Sequence, residues 1–355
     1  MKIAHIGSYD INLGDNVALL NARRGFEKYI NDIEWVSIRI QDFWEFSNKP
    51  EETIKILNKD YDCILVGGGG LIEYNDWENS HTNYKLPFNK EILSSLNCPV
   101  FFIGLGINSF RGGKEFSEEA KLSLKETIDF STYFSLRNDG SPEALERMGL
   151  SSPKTESIPD PGLIFDYHKV RNNHSLKLNF IQPAFNGKHI INLNRYKSSK
   201  NIEKLRHFAN ANKLKAVAHS VKDFQVFDNF LVPASEFKKA VAFVHTNQLV
   251  QIYLNFDSVI AMRGHGQLIS IGLNIPGLYL STQDKVRDFS LLNGFENFNI
   301  DIEDENWYEL LEDKYNKLTS DTNFLDDWYQ IKEDKEKGWN NSFYSFIEKC
   351  VEKLQ

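Results

Sequence analysis

The chain has 355 residues, of which 41% are hydrophobic and 25% charged, a composition typical of a folded protein and wrong for a disordered one. Its length fits two domains of ~100–200 residues each. Three scattered cysteines exclude a disulfide framework or a zinc cluster, which favours a reducing compartment. The net charge is −8, and residues 301–355, with 15 Asp and Glu against 7 Lys and Arg, account for all of it. Without a basic stripe, nucleic-acid binding is not expected.

The sequence starts without the charged region and long apolar run of a secretory signal peptide. No apolar run approaches the ~20 residues that span a bilayer. We therefore expect a cytoplasmic protein that acts in the cytoplasm or peripherally at the inner membrane.

The first half of the chain alternates short apolar runs with helical patterns. The patterns predict strands at 2–6, 35–40, 62–66, 99–103 and 133–136, and helices at 15–30, 118–128 and 142–148. Ser141 before Pro142 predicts an N-cap for the last of these helices. The strand at 62–66 runs into Gly67–Gly70, where we expect a turn or a close approach of backbone to another group.

A second series of the same kind follows a polar stretch. Strands are predicted at 190–193, 215–219, 258–262 and 277–280, and helices at 202–210, 247–255 and 267–272. This alternation predicts an α/β fold with two Rossmann-like domains facing across a cleft and a C-terminal helical segment. The expected boundaries are 1–168 for the first domain, 169–189 for a linker, 190–320 for the second domain and 321–355 for the C-terminal helices.

The strongest local signal for chemistry is the segment from Arg263 to Gly266. A predicted apolar strand delivers Arg263 and His265 into a turn with glycines at 264 and 266, and a helix follows. A helix N-terminus offers backbone N–H groups and partial positive charge, and arginine adds a donor fork for phosphate or carboxylate. His265 adds a group that transfers protons near neutral pH. The segment predicts an anion site with a proton donor; a plain strand–helix turn with a surface arginine is the alternative.

Three weaker signals lie at other strand ends. Arg137 ends the strand at 133–136, where the alternative is a surface Arg–Asp pair. Gly14, Asp15 and Asn16 follow the first strand, and Asp15 is placed to accept a proton from a sugar hydroxyl or simply to cap the helix. The four glycines at 67–70 lack the pattern of a dinucleotide or P-loop site, so a nicotinamide or ATP site is not supported.

The order of these motifs along residues 1–290 resembles that of polysaccharide pyruvyl transferases. The resemblance rests on Gly14–Asn16, Val66–Leu71, Ser135–Asp139, Asp160–Leu163 and Met262–Gly266. It implies a GT-B-like fold and an enzyme that attaches pyruvate from phosphoenolpyruvate to a sugar as a ketal, releasing phosphate, with no metal and no cofactor. Asn138 departs from the family pattern, in which an acid often follows the arginine.

The resemblance also implies roles for individual residues. Phosphoenolpyruvate would be bound by Arg263, Gly264, His265 and Gly266 of the second domain and by Arg137 at a strand end of the first domain. His265 would also be a catalytic group. The first domain would hold the acceptor through Gly14, Asp15, Asn16, Gly68 and Gly69, with Asp15 as the catalytic carboxylate. The acceptor would be a sugar of a cell-surface polysaccharide or its precursor, including a lipid-linked one.

Two other functions stay open from the sequence alone. A GT-B glycosyltransferase with a nucleotide-sugar donor would share the two halves and the helix N-terminus, although it usually has an acid in the second half to hold a ribose. A non-catalytic protein that binds a sugar or an anion would bind the same ligands without releasing phosphate.

Overall fold

A computed structural model describes residues 1–9, 12–46, 49–74, 80–108, 114–166, 188–192, 199–220, 223 and 246–355. The chain forms two compact units. The first unit contains Met1–Asp10, Ala18–Pro161 and Gly338–Gln355, and the second contains Ile11–Val17 and Gly162–Lys337. Most of the predicted linker, from 169 to 187, lies outside the described residues, so the domain boundaries stay predictions.

The first unit is built on a parallel sheet of six strands. They are β1 (Lys2–Gly7), β2 (Glu34–Arg39), β3 (Cys63–Ile72), β4 (Val100–Ile107), β5 (Tyr133–Arg137) and β6 (Thr155–Ile158), in the order β2-β1-β3-β4-β5-β6. Strands β3 and β4 are buried along almost their whole length, as expected for strands covered on both faces. Their side chains contribute much of the core of this unit.

The second unit repeats the topology with five parallel strands. They are β7 (His189–Asn192), β8 (Lys215–Ala216), β9 (Ser258–Ala261), β10 (Gly277–Ser281) and β11 (Asn299–Asp301), in the order β11-β10-β9-β7-β8. In each sheet the first strand therefore lies between the second and the third. Parallel sheets of this order bind ligands at the carboxyl ends of the first and third strands, where the direction of winding changes.

Helices connect the strands and extend the chain at its end. They are α1 (Leu13–Glu27), α2 (Pro50–Leu57), α3 (Lys90–Ser94), α4 (Glu118–Phe130), α5 (Ser141–Arg147), α6 (Ser199–Ala211), α7 (Thr246–Tyr253), α8 (Gly264–Gly272), α9 (Asp284–Asn293), α10 (Trp307–Ser320) and α11 (Thr322–Glu352). None of the helices over the described residues has the length and apolarity that a membrane crossing requires. The predicted α/β class with two Rossmann-like sheets is confirmed.

Two local predictions were wrong. The glycines Gly67–Gly70 do not end their strand, because β3 continues through them to Ile72 and pairs with β4 at Gly67 and Gly69. Ser141 does not cap α5, whose N-cap is Gly140 in the left-handed region. The Ser141 hydroxyl instead accepts the Ile107 N–H at 2.9 Å, which ties the end of β4 to α5.

Candidate active site

The segment Arg263–Gly266 lies at the junction of β9 and α8. This is the carboxyl end of the third strand of the second sheet, where the direction of winding changes. Helix α8 begins at Gly264, three residues before the predicted start, so His265 lies in its first turn and Arg263 is the N-cap. The Arg263 carbonyl accepts the Gly266 N–H at 2.9 Å. A helix has no internal acceptors for its first N–H groups, so this end of α8 is suited to an anion.

Glycine is required at position 266 beside this turn. A Cβ on Gly266 would lie 2.6 Å from Oδ1 of Asn192, the last residue of β7. Gly264 is less crowded, and its nearest neighbour is Lys285, whose Cε would lie 3.8 Å from an added Cβ. Lys285 therefore places a second positive charge near the start of α8, a residue that the sequence analysis missed.

Arg263 does not present its whole guanidinium group to a ligand. Its Nε donates to Oδ2 of Asp223 at 2.9 Å, and its Nη2 donates to Oδ1 of the same carboxylate. Asp223 is fully buried, whereas the Arg263 side chain is 18% exposed. The two-point contact fixes the plane of the guanidinium and leaves Nη1 as the nitrogen outside the fork.

Asp223 also organises the loop after β8. The same Oδ2 accepts the backbone N–H groups of His219 at 3.0 Å and Ser220 at 3.1 Å. Three donors on one buried oxygen offset the cost of burying this carboxylate. The sequence analysis missed Asp223, since an isolated aspartate between strands carries no recognisable spacing.

His265 forms a pair with Asp15, which the sequence analysis had placed separately. Nδ1 of His265 lies 3.2 Å from Oδ1 of Asp15, and both side chains are largely buried, with 8% and 18% exposed. The segment Ile11–Val17 belongs to the second unit, together with His265. A carboxylate on Nδ1 fixes the orientation of the imidazole.

His219 packs between these groups. Its Nε2 lies 2.8 Å from the Tyr253 hydroxyl, while its buried Nδ1 has no hydrogen-bond partner among the described residues. A Cβ on Gly14 would lie 2.9 Å from that Nδ1 and 2.4 Å from Cβ of His265. Burial, then the charges of Arg263 and His265, hold the pKa of His219 well below its usual value, so this ring is neutral.

Arg137 lies in the first unit and is almost completely buried. Its Nη1 donates to Asp160 at 2.9 Å and its Nε lies 2.5 Å from Asp139, and both carboxylates are buried too. A Cβ on Gly106 would lie 2.3 Å from the guanidinium carbon, so glycine makes room for the ion pair. Two carboxylates outweigh one guanidinium, which favours a structural role over binding of an anion.

The remaining predicted residues are divided between the units. Gly14, Asp15 and Asn16 form the first turn of α1 within the second unit, whereas Gly68 and Gly69 lie within β3 of the first. Their roles in acceptor binding stay predictions. Among the described residues, no group of three His, Cys, Asp or Glu side chains is placed to hold a metal ion.

Comparison with solved structures gives the fold. UDP-GlcNAc 2-epimerase from Methanocaldococcus jannaschii is 17% identical, with a TM-score of 0.54 over 89% of this chain and 93% of that one. The enzyme of that name from Neisseria meningitidis is 13% identical, with a TM-score of 0.55 over 99% and 100%. A trehalose-6-phosphate synthase is 11% identical, with a TM-score of 0.56 over 99% and 98%. These likenesses show the predicted GT-B-like fold.

Comparison of the sequence gives the family. No curated protein matches the chain. The model of the polysaccharide pyruvyl transferase family matches residues 12–284, a range that includes Asp15, Arg137, Asp223, Arg263 and His265. Because the match extends over most of the chain, the protein belongs to the polysaccharide pyruvyl transferase family.

Proposed function

We propose that this enzyme transfers pyruvate from phosphoenolpyruvate to two hydroxyl groups of a saccharide, forming a ketal and releasing phosphate. The observation that carries the proposal is the His265–Asp15 pair beside Arg263 at the start of α8. It combines a proton-transferring group with an anion site at the carboxyl end of β9. The family supports a polysaccharide acceptor, and we propose a polysaccharide precursor in the cytoplasm, including a lipid-linked one.

The reaction needs one proton delivered to carbon and two removed from oxygen. Protonation of C3 converts the CH2 group of phosphoenolpyruvate to CH3 and develops positive charge at C2. One sugar hydroxyl adds to C2, and the second displaces phosphate. Of the two protons that the hydroxyls lose, one replaces the proton given to C3 and the other leaves with phosphate.

We assign this proton transfer to Nε2 of His265. Asp15 holds Nδ1, so the imidazole keeps one orientation while Nε2 gives and regains its proton. This differs from the separate roles expected from the sequence, in which Asp15 alone takes the hydroxyl proton. In the proposal, Asp15 acts through His265 by holding its ring in one orientation.

Arg263 and Lys285 supply positive charge for the phosphate and carboxylate of the donor. Arg263 is held by Asp223, so it is oriented before a ligand arrives and loses little conformational freedom on binding. The start of α8 adds backbone N–H groups to the same region. Arg137, which is buried against two carboxylates, supports β5 rather than the donor in this proposal.

Binding and turnover can be tested separately. Phosphoenolpyruvate alone should raise the melting temperature, since a ligand that binds the folded state stabilises it. Phosphate release should then need an acceptor, supplied as a panel of saccharides. Arg263→Gln should weaken binding, whereas His265→Asn should lower turnover more than binding. Arg147→Gln and His207→Asn are matched controls, because both residues are exposed on helices.

A GT-B glycosyltransferase with a nucleotide-sugar donor is the second candidate. The epimerases of similar fold were solved with UDP-GlcNAc bound, which is the observation in its favour. If UDP- or GDP-sugars stabilise the protein and phosphoenolpyruvate does not, this candidate replaces the first. A protein that binds phosphoenolpyruvate but releases no phosphate with any acceptor would be a binding protein rather than a transferase.

A further inference from the structure

The side chain of Arg23, on α1 in the first unit, contacts neutral groups among the described residues. Its Nη2 donates to the Tyr9 hydroxyl at 2.5 Å and to the Ser37 hydroxyl at 2.6 Å. Its guanidinium carbon lies 5.3 Å from the centre of the Tyr9 ring and 5.1 Å from that of Trp35. Within the described ranges, no carboxylate forms an ion pair with Arg23.

The fourth neighbour, His5, is neutral as well. Arg23 Nε donates to His5 Nδ1 at 3.1 Å. A guanidinium can only donate, so Nδ1 accepts and the imidazole proton sits on Nε2, which donates to the Gly67 carbonyl at 3.1 Å. Burial lowers the pKa of His5 to about 3. His5 therefore orients the guanidinium without supplying negative charge.

Other shielded arginines of the described chain are paired differently. Arg137 contacts two aspartates, Arg263 contacts Asp223, and Arg206 contacts Glu203. In each of these cases a carboxylate balances the positive charge. Arg23 is the exception within the described ranges, because hydroxyls, two aromatic rings and a neutral imidazole hold its side chain in place.

Two donors remain for a ligand at this position. Nη1 of Arg23 makes no hydrogen bond with the described residues. The exposed Ser37 hydroxyl accepts from Nη2, so its own hydrogen is available to another acceptor. The edge of the guanidinium that suits a planar carboxylate, Nε with Nη2, is already occupied. A tetrahedral phosphate can take one donor on each of two oxygens.

We propose that Arg23 and Ser37 form a binding site for a phosphate group. The site is made by residues of the first unit, whereas the residues assigned to donor chemistry belong to the second, so it does not depend on the proposed function. Its ligand is inorganic phosphate or the phosphate of a phosphorylated saccharide. The aromatic rings and His5 hold the guanidinium ready for either one.

The test is a titration followed by nuclear magnetic resonance with inorganic phosphate, glucose 1-phosphate and glucuronate. The reporters are the Nε–H of Arg23 and the indole N–H of Trp35, which donates to Glu27 at 2.9 Å. Saturable shifts with a phosphate ligand are expected. Arg23→Gln should weaken binding about 10-fold or more, and Ser37→Ala about 3- to 10-fold. Arg147→Gln, which removes an exposed charge elsewhere, should leave the titration unchanged.

The outcomes separate the possibilities. Tighter binding of glucose 1-phosphate than of inorganic phosphate assigns the site to a saccharide ligand, and the reverse assigns it to the free ion. No saturable shift with either, tighter binding of glucuronate, or equal weakening by Arg147→Gln would overturn the proposal. Ser37→Ala keeps the test decisive if Arg23→Gln fails to fold, because Ser37 is exposed. Absence of phosphoenolpyruvate turnover would affect the proposed function only.

Discussion

The depressed pKa of His5 predicts how the stability of the first unit depends on pH. The pKa falls from 6.5 to about 3 because burial, and then the nearby charge of Arg23, disfavour the protonated ring. Between pH 6.5 and about 3, His5 is therefore protonated in the unfolded chain but not in the folded chain. The contribution of His5 to stability is fully present above pH 6.5 and is lost progressively as the pH falls toward 3.

The magnitude follows from the width of this interval. One pKa unit corresponds to about 1.4 kcal/mol, so the full loss is about 5 kcal/mol. Between pH 7.5 and pH 4.5 the expected loss is about 3 kcal/mol, since about two units of that range lie below 6.5. A loss of this size is a large part of the ~5–15 kcal/mol that stabilises a typical domain.

His5→Asn isolates the effect, because its amide oxygen can replace Nδ1 as an acceptor for Arg23 but cannot be protonated. Urea unfolding at several pH values gives the free energy of unfolding of both proteins, and the transition that the substitution shifts is that of the first unit. The difference in free energy of unfolding between wild type and variant should shrink by about 3 kcal/mol from pH 7.5 to pH 4.5. His207→Asn, an exposed control, should show no such trend. Parallel pH dependence of wild type and His5→Asn would refute the reasoning.

Three further predictions concern the ion pairs. Asp223→Asn removes the charged partner of Arg263, so the phosphoenolpyruvate concentration for half-maximal thermal stabilisation should rise about 10-fold. If that concentration is unchanged, another group orients Arg263. Asp15→Asn should lower the rate of phosphate release in steady-state kinetics about 10- to 100-fold. Binding of phosphoenolpyruvate, measured by thermal shift, should change little. A rate equal to that of wild type would remove Asp15 from the mechanism. Gly106→Ala should cost about 3 kcal/mol in urea unfolding because its methyl group would meet the Arg137 guanidinium at 2.3 Å. Gly338→Ala, on a helix with nothing within 4 Å, is the control and should be neutral or stabilising.

The sequence predicted the fold class because it depends on local patterns, and the same patterns drew attention to Arg263 and His265, whose roles stay predictions. Alternating apolar runs and helical periods predict parallel βαβ units whatever their exact ends. Arg263 and His265 were found because a strand and a helix flank them directly. The end of β3 was predicted wrongly, because its glycines adopt positive φ angles and still pair with β4.

The contacts between distant residues could not be predicted in the same way. Asp223 lies 40 residues before Arg263, and Asp15 lies 250 residues before His265. No spacing rule connects such positions, since they meet only after the sheet has formed. Burial of Arg137 was also missed, because a strand-end arginine with neighbouring aspartates has the same pattern on a surface and in a core.

The glycines of β3 restrict which residues this strand can carry. Gly67 and Gly68 have positive φ angles of 133° and 83°, and a Cβ on Gly67 would meet the Ile103 carbonyl oxygen at 2.3 Å. Such backbone excludes nearly every other residue type. A library randomised at these two positions should therefore return mostly misfolded proteins, so the sequence of β3 can change there only at the expense of the sheet.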